Sequence, residues 1–285
     1  MKRFAQYLAV VSSVLLLSGC SLSFYYKYVD WYVEWELEDY MSLTNAQEDI
    51  IEQEVAKLVE WHKRNELPRA KAQLESLRIA IANNNFTRED GNKLWAWVDS
   101  LAPNLFEKAL PSFARFFRSM SDDQLAQMKE TWNEQWEERK QEEKDDEQKA
   151  RKKIRDQIEE QLEDWVGSLT DEQKAAIELR VNQRQDYSKD YDDYYDRWIA
   201  YFFDMLENHR TDAEELTRRM RELFIEKRTL RGEDLHQKIT ERRAKRAEHF
   251  YLFMQTITPK QRKKLLKRID KYIKQADRIL QRLDS

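Results

Sequence analysis

The chain has 285 residues, 36% of them charged, with only four Gly, four Pro and one Cys. So few turn formers exclude a sheet-rich fold, and a lone cysteine excludes an intramolecular disulfide, so an all-α protein held by packing alone is expected. Charge is segregated: residues 218–285 hold 21 Lys and Arg against 9 Asp and Glu, a net of +12 in a chain whose total is −4.

In chain order, Lys2 and Arg3 precede an apolar run from Leu8 to Leu16, then Leu17-Ser18-Gly19-Cys20. This resembles a bacterial lipoprotein signal. The resemblance implies removal of residues 1–19, with cleavage between Gly19 and Cys20. It also implies a covalent lipid such as palmitate on Cys20, with no other cofactor. Ser21 rather than Asp follows, which in that class implies attachment to the outer membrane, facing the periplasm. Export excludes nucleic acid as a partner and makes the membrane the first one. In the anchored segment 20–41, Phe24, Tyr28, Trp31 and Trp35 recur at helical spacing. Two readings are open: a face packed into the core, which the usual burial of aromatics favours, or rings at a membrane interface.

The first helical half is read as 42–166. Thr44 with Gln47 forms a capping box, in which each side chain satisfies a backbone N–H of the other residue. The helix that follows carries Ile50, Ile51, Val55, Leu58, Val59 and Trp61. Pro68 predicts a break or kink at Leu67. A second helix through Leu74, Leu77 and Ile81 ends at Asn83-Asn84-Asn85. Thr87 and Asp90 open a third, with Gly91 weakening its first turn, and Pro103 is expected to restart the chain. The dense segment Leu105–Phe117 requires burial or a ligand. Ser121 and Gln124 repeat the capping pattern. From Glu130 to Asp164 nearly every residue is polar, with favourable pairs such as Asp145–Lys149 beside like charges such as Glu143 and Glu147. That stretch reads as a solvated helix bridging two packed ends, or as a locally frayed one. Gly167 suits a helix stop.

The second half, 167–285, opens with Thr170 and Gln173. Tyr187, Tyr191, Tyr194, Trp198, Tyr201 and Phe202 form an aromatic stripe whose expected place is the core. Thr211-Asp212-Ala213-Glu214 reads as another capping box. Gly232 ends or bends the next helix. Thr258, Pro259 and Gln261 start a last helix, basic outside and apolar inside, whose proline sits where its missing N–H costs nothing. The basic third has two readings, as a neutraliser of acidic helices and as a surface for an anionic partner.

Starts at 44, 87 and 121 recur at 170, 211 and 258, with offsets of 126, 124 and 137. Such a recurrence fits an internal duplication with an insertion or independent reuse of a cap contributing about 1 kcal/mol. Leu43-Thr44…Gln47 and Leu169-Thr170…Gln173 also resemble the LTxxQ motif of Spy-like periplasmic chaperones and stress factors, from which Ile257-Thr258…Gln261 and Met120-Ser121…Gln124 depart. As a whole, with its Trp61-His62-Lys63-Arg64-Asn65-Glu66-Leu67-Pro68 stretch, the chain is similar to a family of uncharacterised proteobacterial envelope lipoproteins. That resemblance brings no activity with it.

No glycine-rich phosphate loop or nucleophile elbow occurs. His62, His209, His236 and His249 are scattered, and Glu233-x-x-His236 lacks the second copy that di-iron bundles use. The expectation is therefore an elongated all-α bundle of long antiparallel helices in two duplicated halves, binding no metal and catalysing nothing. Its function is expected to be binding, either of unfolded clients as a Spy-like chaperone or of one envelope partner as a scaffold. Oligomeric state is not legible.

Overall fold

A computed structural model describes residues 22–142, 147–185 and 187–283. These are helical, with no strand among the described residues: an all-α bundle. The helices are α1 (Leu22–Glu38), α2 (Asn45–Trp61), α3 (Leu67–Ala82), α4 (Arg88–Ser119), α5 (Asp122–Glu142), α6 (Glu147–Val166), α7 (Asp171–Asn182), α8 (Ser188–His209), α9 (Ala213–Phe224), α10 (Arg228–Arg231), α11 (Glu233–Gln255) and α12 (Pro259–Gln281). Gly19, Cys20 and the Asp145 and Glu143 pairs lie outside the described residues.

Proline is accommodated in two ways. Between α2 and α3 the chain does not break. Residues His62–Glu66 widen into a π-turn, and the N–H of Leu67 bonds the carbonyl of His62. Pro68 then falls in the first turn of α3, where an N–H is dispensable. Pro103, expected to restart the chain, instead lies inside α4 together with Pro111. Packing along the 32-residue helix outweighs the lost hydrogen bonds there. Gly91 is buried, and a Cβ at that position would make ordinary van der Waals contact with Phe86 and with the carbonyl of Ala247 in α11. Gly167, at φ +90°, ends α6 as expected.

Two large cores form. The first gathers Tyr40 and Met41, Ile51 of α2, Leu110, Phe116 and Phe117 of α4, Trp132 and Trp136 of α5, and much of α8 and α9. The second gathers Leu74 and Ile81 of α3, Val166 of α6, Ile177 and Val181 of α7, Met254 of α11, and Leu265 and Ile269 of α12. Neither follows the division at residues 166 and 167. The first half sends α3 and α6 into the second core, and the second half sends α8 and α9 into the first. α4 makes the return trip, with Trp95 against Phe250 at one end and Phe117 against Phe202 at the other.

The α8 stripe faces inward. Tyr194 and Phe202 are buried, and Trp198 is half-buried, stacked on Trp132 at 5.7 Å and on Phe202 at 5.2 Å. Basic side chains cover its tyrosines. Lys238 pairs with Asp190 at 2.7 Å, and Arg242 donates to the Tyr191 hydroxyl at 2.6 Å. Replacing Trp198 with Ala should therefore cost about 3 kcal/mol, as large-to-small core changes do. Urea unfolding checks this, and a loss below about 0.5 kcal/mol would contradict the inward reading.

Candidate functional site: two glutamine locks and two outward helix faces

The four Ser/Thr-x-x-Gln boxes meet in pairs. Each glutamine first completes its own cap: the N–H groups of Thr44, Ser121, Thr170 and Thr258 donate to the side-chain oxygens of Gln47, Gln124, Gln173 and Gln261 at 2.9–3.0 Å. The amides then pair reciprocally. Gln47 Nε2 donates to Gln124 Oε1 at 2.9 Å, and Gln124 Nε2 donates back at 2.7 Å. Gln173 and Gln261 do the same at 3.1 and 2.8 Å.

The second hydrogen of each amide goes to a backbone carbonyl two residues before the partner's cap. Gln47 reaches Ser119, Gln124 reaches Ser42, Gln173 reaches Thr256 and Gln261 reaches Ser168. Every donor and acceptor of the four side chains is thus used, as burial requires. Gln47, Gln173 and Gln261 are buried. The residue before each cap (Leu43, Met120, Leu169, Ile257) packs into the neighbouring core. These boxes are structural locks, each joining two helix starts.

The other two expected boxes differ. Thr87 caps α4 with Asp90, a carboxylate that can close a box but cannot pair as an amide does. At 211–214 the cap is Asp212, not Thr211: its carboxylate accepts from the N–H groups of Glu214 and Glu215, both at 3.1 Å. Asp212 stands one position nearer the helix, and its single Oδ1 accepts from both N–H groups. The proposed match of 87 with 211 therefore fails, whereas 44 with 170 and 121 with 258 correspond in place and in bonding.

The Trp61–Pro68 stretch forms the π-turn and its buttress. His62 Nδ1 and the Tyr26 hydroxyl of α1 share a hydrogen bond of 2.7 Å, Asn65 bonds the Trp61 carbonyl, and buried Glu66 meets Arg69 at 3.2 Å. Burial lowers the His62 pKa to about 4 and pushes the Tyr26 hydroxyl up. Sequence reasoning left His62 among four scattered histidines and had no means of finding its partner 36 residues away. Among the described residues no group of His, Asp and Glu could hold a metal ion. The surface groove beside α5 is lined by groups that already pair, such as Lys129 with Glu207.

Two helix faces point outward with nothing packed against them among the described residues. On α1, Phe24, Tyr28, Trp31 and Trp35 are 55%, 40%, 61% and 41% exposed. The favoured expectation of a core-packed stripe fails here, because the opposite face, with Tyr26, Val33 and Leu37, takes the packing. On α12, Lys260, Lys263, Lys267, Lys271, Lys274 and Arg278 are exposed on one face and make no ion pair or hydrogen bond among the described residues. The helix's acids turn the other way, Asp270 to Arg78 and Asp277 to Lys71 of α3. Composition announced the charge of this region, but only the fold separates paired cations on α11 from unpaired ones on α12.

Residues 39–236 match the model of DUF6279, a family of unknown function. No curated protein and no solved structure matches the chain.

Two predictions follow from this geometry. Gln173→Ala should destabilise by about 1–3 kcal/mol, because Gln261 then keeps buried, unmatched polar atoms. The Gln173→Ala/Gln261→Ala pair should cost clearly less than the sum of the two single changes. Strict additivity in denaturant unfolding would contradict the lock. Thr170→Ser should stay near wild type, while Thr170→Ala loses about 0.5–2 kcal/mol.

For pH, the folded His62 value near 4 lies below the unfolded value of 6.5. In that window the unfolded chain binds a proton that the folded chain refuses. His62 therefore contributes stability that is fully present above pH 6.5 and is lost as pH falls toward 4. His62→Gln should flatten this slope in urea titrations from neutral to acid. His249, also lowered by burial, leaves a residual slope.

Proposed function

The chain belongs to the DUF6279 family, and we propose that it is a lipid-anchored, periplasm-facing envelope protein that acts by binding one negatively charged partner. The observation that carries this reading is the α12 cation row, a six-residue stripe with no internal counter-charge. Such a row focuses positive potential along one line and recruits anionic surfaces. The lipoprotein-like sequence Leu17-Ser18-Gly19-Cys20 supplies the anchor, with Ser21 favouring the outer membrane.

The chaperone reading rested on the LTxxQ-like boxes and on exposed aromatics. Here the box glutamines are consumed in locks, and the α8 aromatics are turned into the first core. Apart from α1, the large exposed hydrophobics are Ile79, Leu179 and Leu252, one each on α3, α7 and α11. Three separate side chains make no cradle for an unfolded client. A scaffold that docks one partner is therefore better supported than a Spy-like chaperone.

Replacing Lys263, Lys267, Lys271 and Lys274 together with Glu should leave folding stability within about 1 kcal/mol, since none is paired. The variant should leave an immobilised polyglutamate column at much lower salt than the wild type, because exposed charges act only within about 8–10 Å in physiological salt. Equal elution would count against the reading, as would strong suppression of aggregation of an unfolded test protein. For the anchor, Cys20→Ala should abolish palmitate labelling and release the chain from the membrane fraction. Persistence of both would contradict it.

A further inference from the structure

We propose that α1 is an in-plane membrane helix: Phe24, Tyr28, Trp31 and Trp35 seat in the lipid interface and fix the orientation of the body on the bilayer. The inference rests on the anchored reading of Cys20 and adds a second, independent contact to it.

The aromatic face is a rigid ridge. Tyr26 is held between His62 and a small apolar cluster of Leu67, Ala276, Ile279 and Leu280, while Val33 and Leu37 pack on the first core. Contacts at both ends prevent the helix from rolling its aromatics inward. On the outer face Trp31 and Trp35 stack with ring centres 6.4 Å apart, and Phe24 lies 4.6 Å from Tyr28. A contiguous exposed apolar patch of this kind marks an interaction surface.

Tether length selects lipid as the occupant. Cys20 stands four residues before Phe24. Fully extended, four residues reach about 14 Å at most. A lipid on Cys20 therefore holds the start of the stripe within the headgroup region, whatever conformation the connecting residues take. The helix does not cross: α1 has 17 residues, including Lys27, Asp30, Glu34, Glu36 and Glu38, and no described helix is long and apolar enough to span.

Trp and Tyr are the residue types that settle at the polar–apolar boundary, and a helix with one aromatic face lies along it. The stripe stops where exposed Glu38 and Asp39 begin, so the chain leaves the interface there and enters the first core at Tyr40 and Met41. The stripe itself is uncharged, so a zwitterionic surface suffices for this contact.

The test uses the chain from Ser21 onward, which retains every buried core residue from Tyr40 to Ile279 and contains no cysteine. A single cysteine is introduced as Trp31→Cys and, as control, as Leu179→Cys, and each is labelled with an environment-sensitive dye. With phosphatidylcholine vesicles carrying brominated acyl chains, the dye at 31 should shift to the blue and be quenched, and the dye at 179 should do neither. In vesicle flotation, Trp31→Glu/Trp35→Glu should reduce binding at least about ten-fold without moving the thermal midpoint, because both side chains are exposed. An unquenched dye at 31 would overturn the proposal. So would a dimer in sedimentation that the double variant dissolves, since the face would then be covered by a second copy. Lipidation is not needed in this assay. A failure of the anchor reading would appear only as missing palmitate on the full chain, and the two results remain separable.

Discussion

The reciprocal glutamine pair is the interaction on which this fold depends. Two helix starts are brought together by amides that each cap one helix and grip the other's approach strand, across 77 residues in the first lock and 88 in the second. A helix start leaves free N–H groups and a partial positive charge, so two of them side by side would repel and compete for water. The amide oxygen answers both problems, accepting from its own cap and from the facing amide at once. A carboxylate satisfies the cap equally well but has no hydrogen to return. That separates the four paired boxes from Thr87–Asp90, which closes a box alone. Buried in a low-dielectric site, such a ring is worth most when complete and costs most when half-removed.

The shared cores, rather than the locks, join the two halves. Each half carries one lock, but α3 leaves for the second core, and α8 and α9 leave for the first. The halves thus exchange their central helices, in the manner of a duplicated unit whose copies complete one another. α4 and α11 occupy equivalent return paths and meet each other through Arg88–Glu248 and Trp95–Phe250. α9 has no such equivalent, which is where the expected third correspondence broke down. Cooperativity across the whole chain is the physical consequence, since neither core is complete without segments from both sides.

Much of this was legible in the sequence, and the reason lies in range. Local signals read correctly: the caps at Thr44, Ser121, Thr170 and Thr258, the stops at Gly167 and Asn83–Asn85, and the inward α8 stripe. Non-local ones did not. Nothing in Ser/Thr-x-x-Gln says which box faces which, because the pairing is decided by tertiary packing between segments nearly 80 residues apart. Pro103 misled because a single missing hydrogen bond is small beside the burial of Leu110, Phe116 and Phe117 on the same helix. The α1 stripe misled for the opposite reason. Aromatics at helical spacing define a face, but only the neighbours show whether that face or the one opposite is turned inward.

The distribution of polar groups bears on the proposed function. Among the described residues the buried polar or charged side chains are Gln47, Gln173, Gln261 and Glu66. The three glutamines are spent in locks, and Glu66 is held beside the π-turn. A reactive centre needs a polar group that is both sequestered and unfinished, poised to act on something else. Here the four side chains buried as whole residues are satisfied, single sequestered atoms such as His236 Nδ1 and His249 Nδ1 stay without a hydrogen-bond partner, and the largest unpartnered surfaces are the aromatic rings on α1 and the lysines on α12. The first suits a lipid boundary and the second a negatively charged surface. Tyr26 of α1 packs among Ala276, Ile279 and Leu280 at the C-terminal end of α12. The helix nearest the proposed anchor and the helix carrying the free cations are therefore mechanically joined, and a body fixed by α1 holds the cation row at a set distance and angle from the membrane.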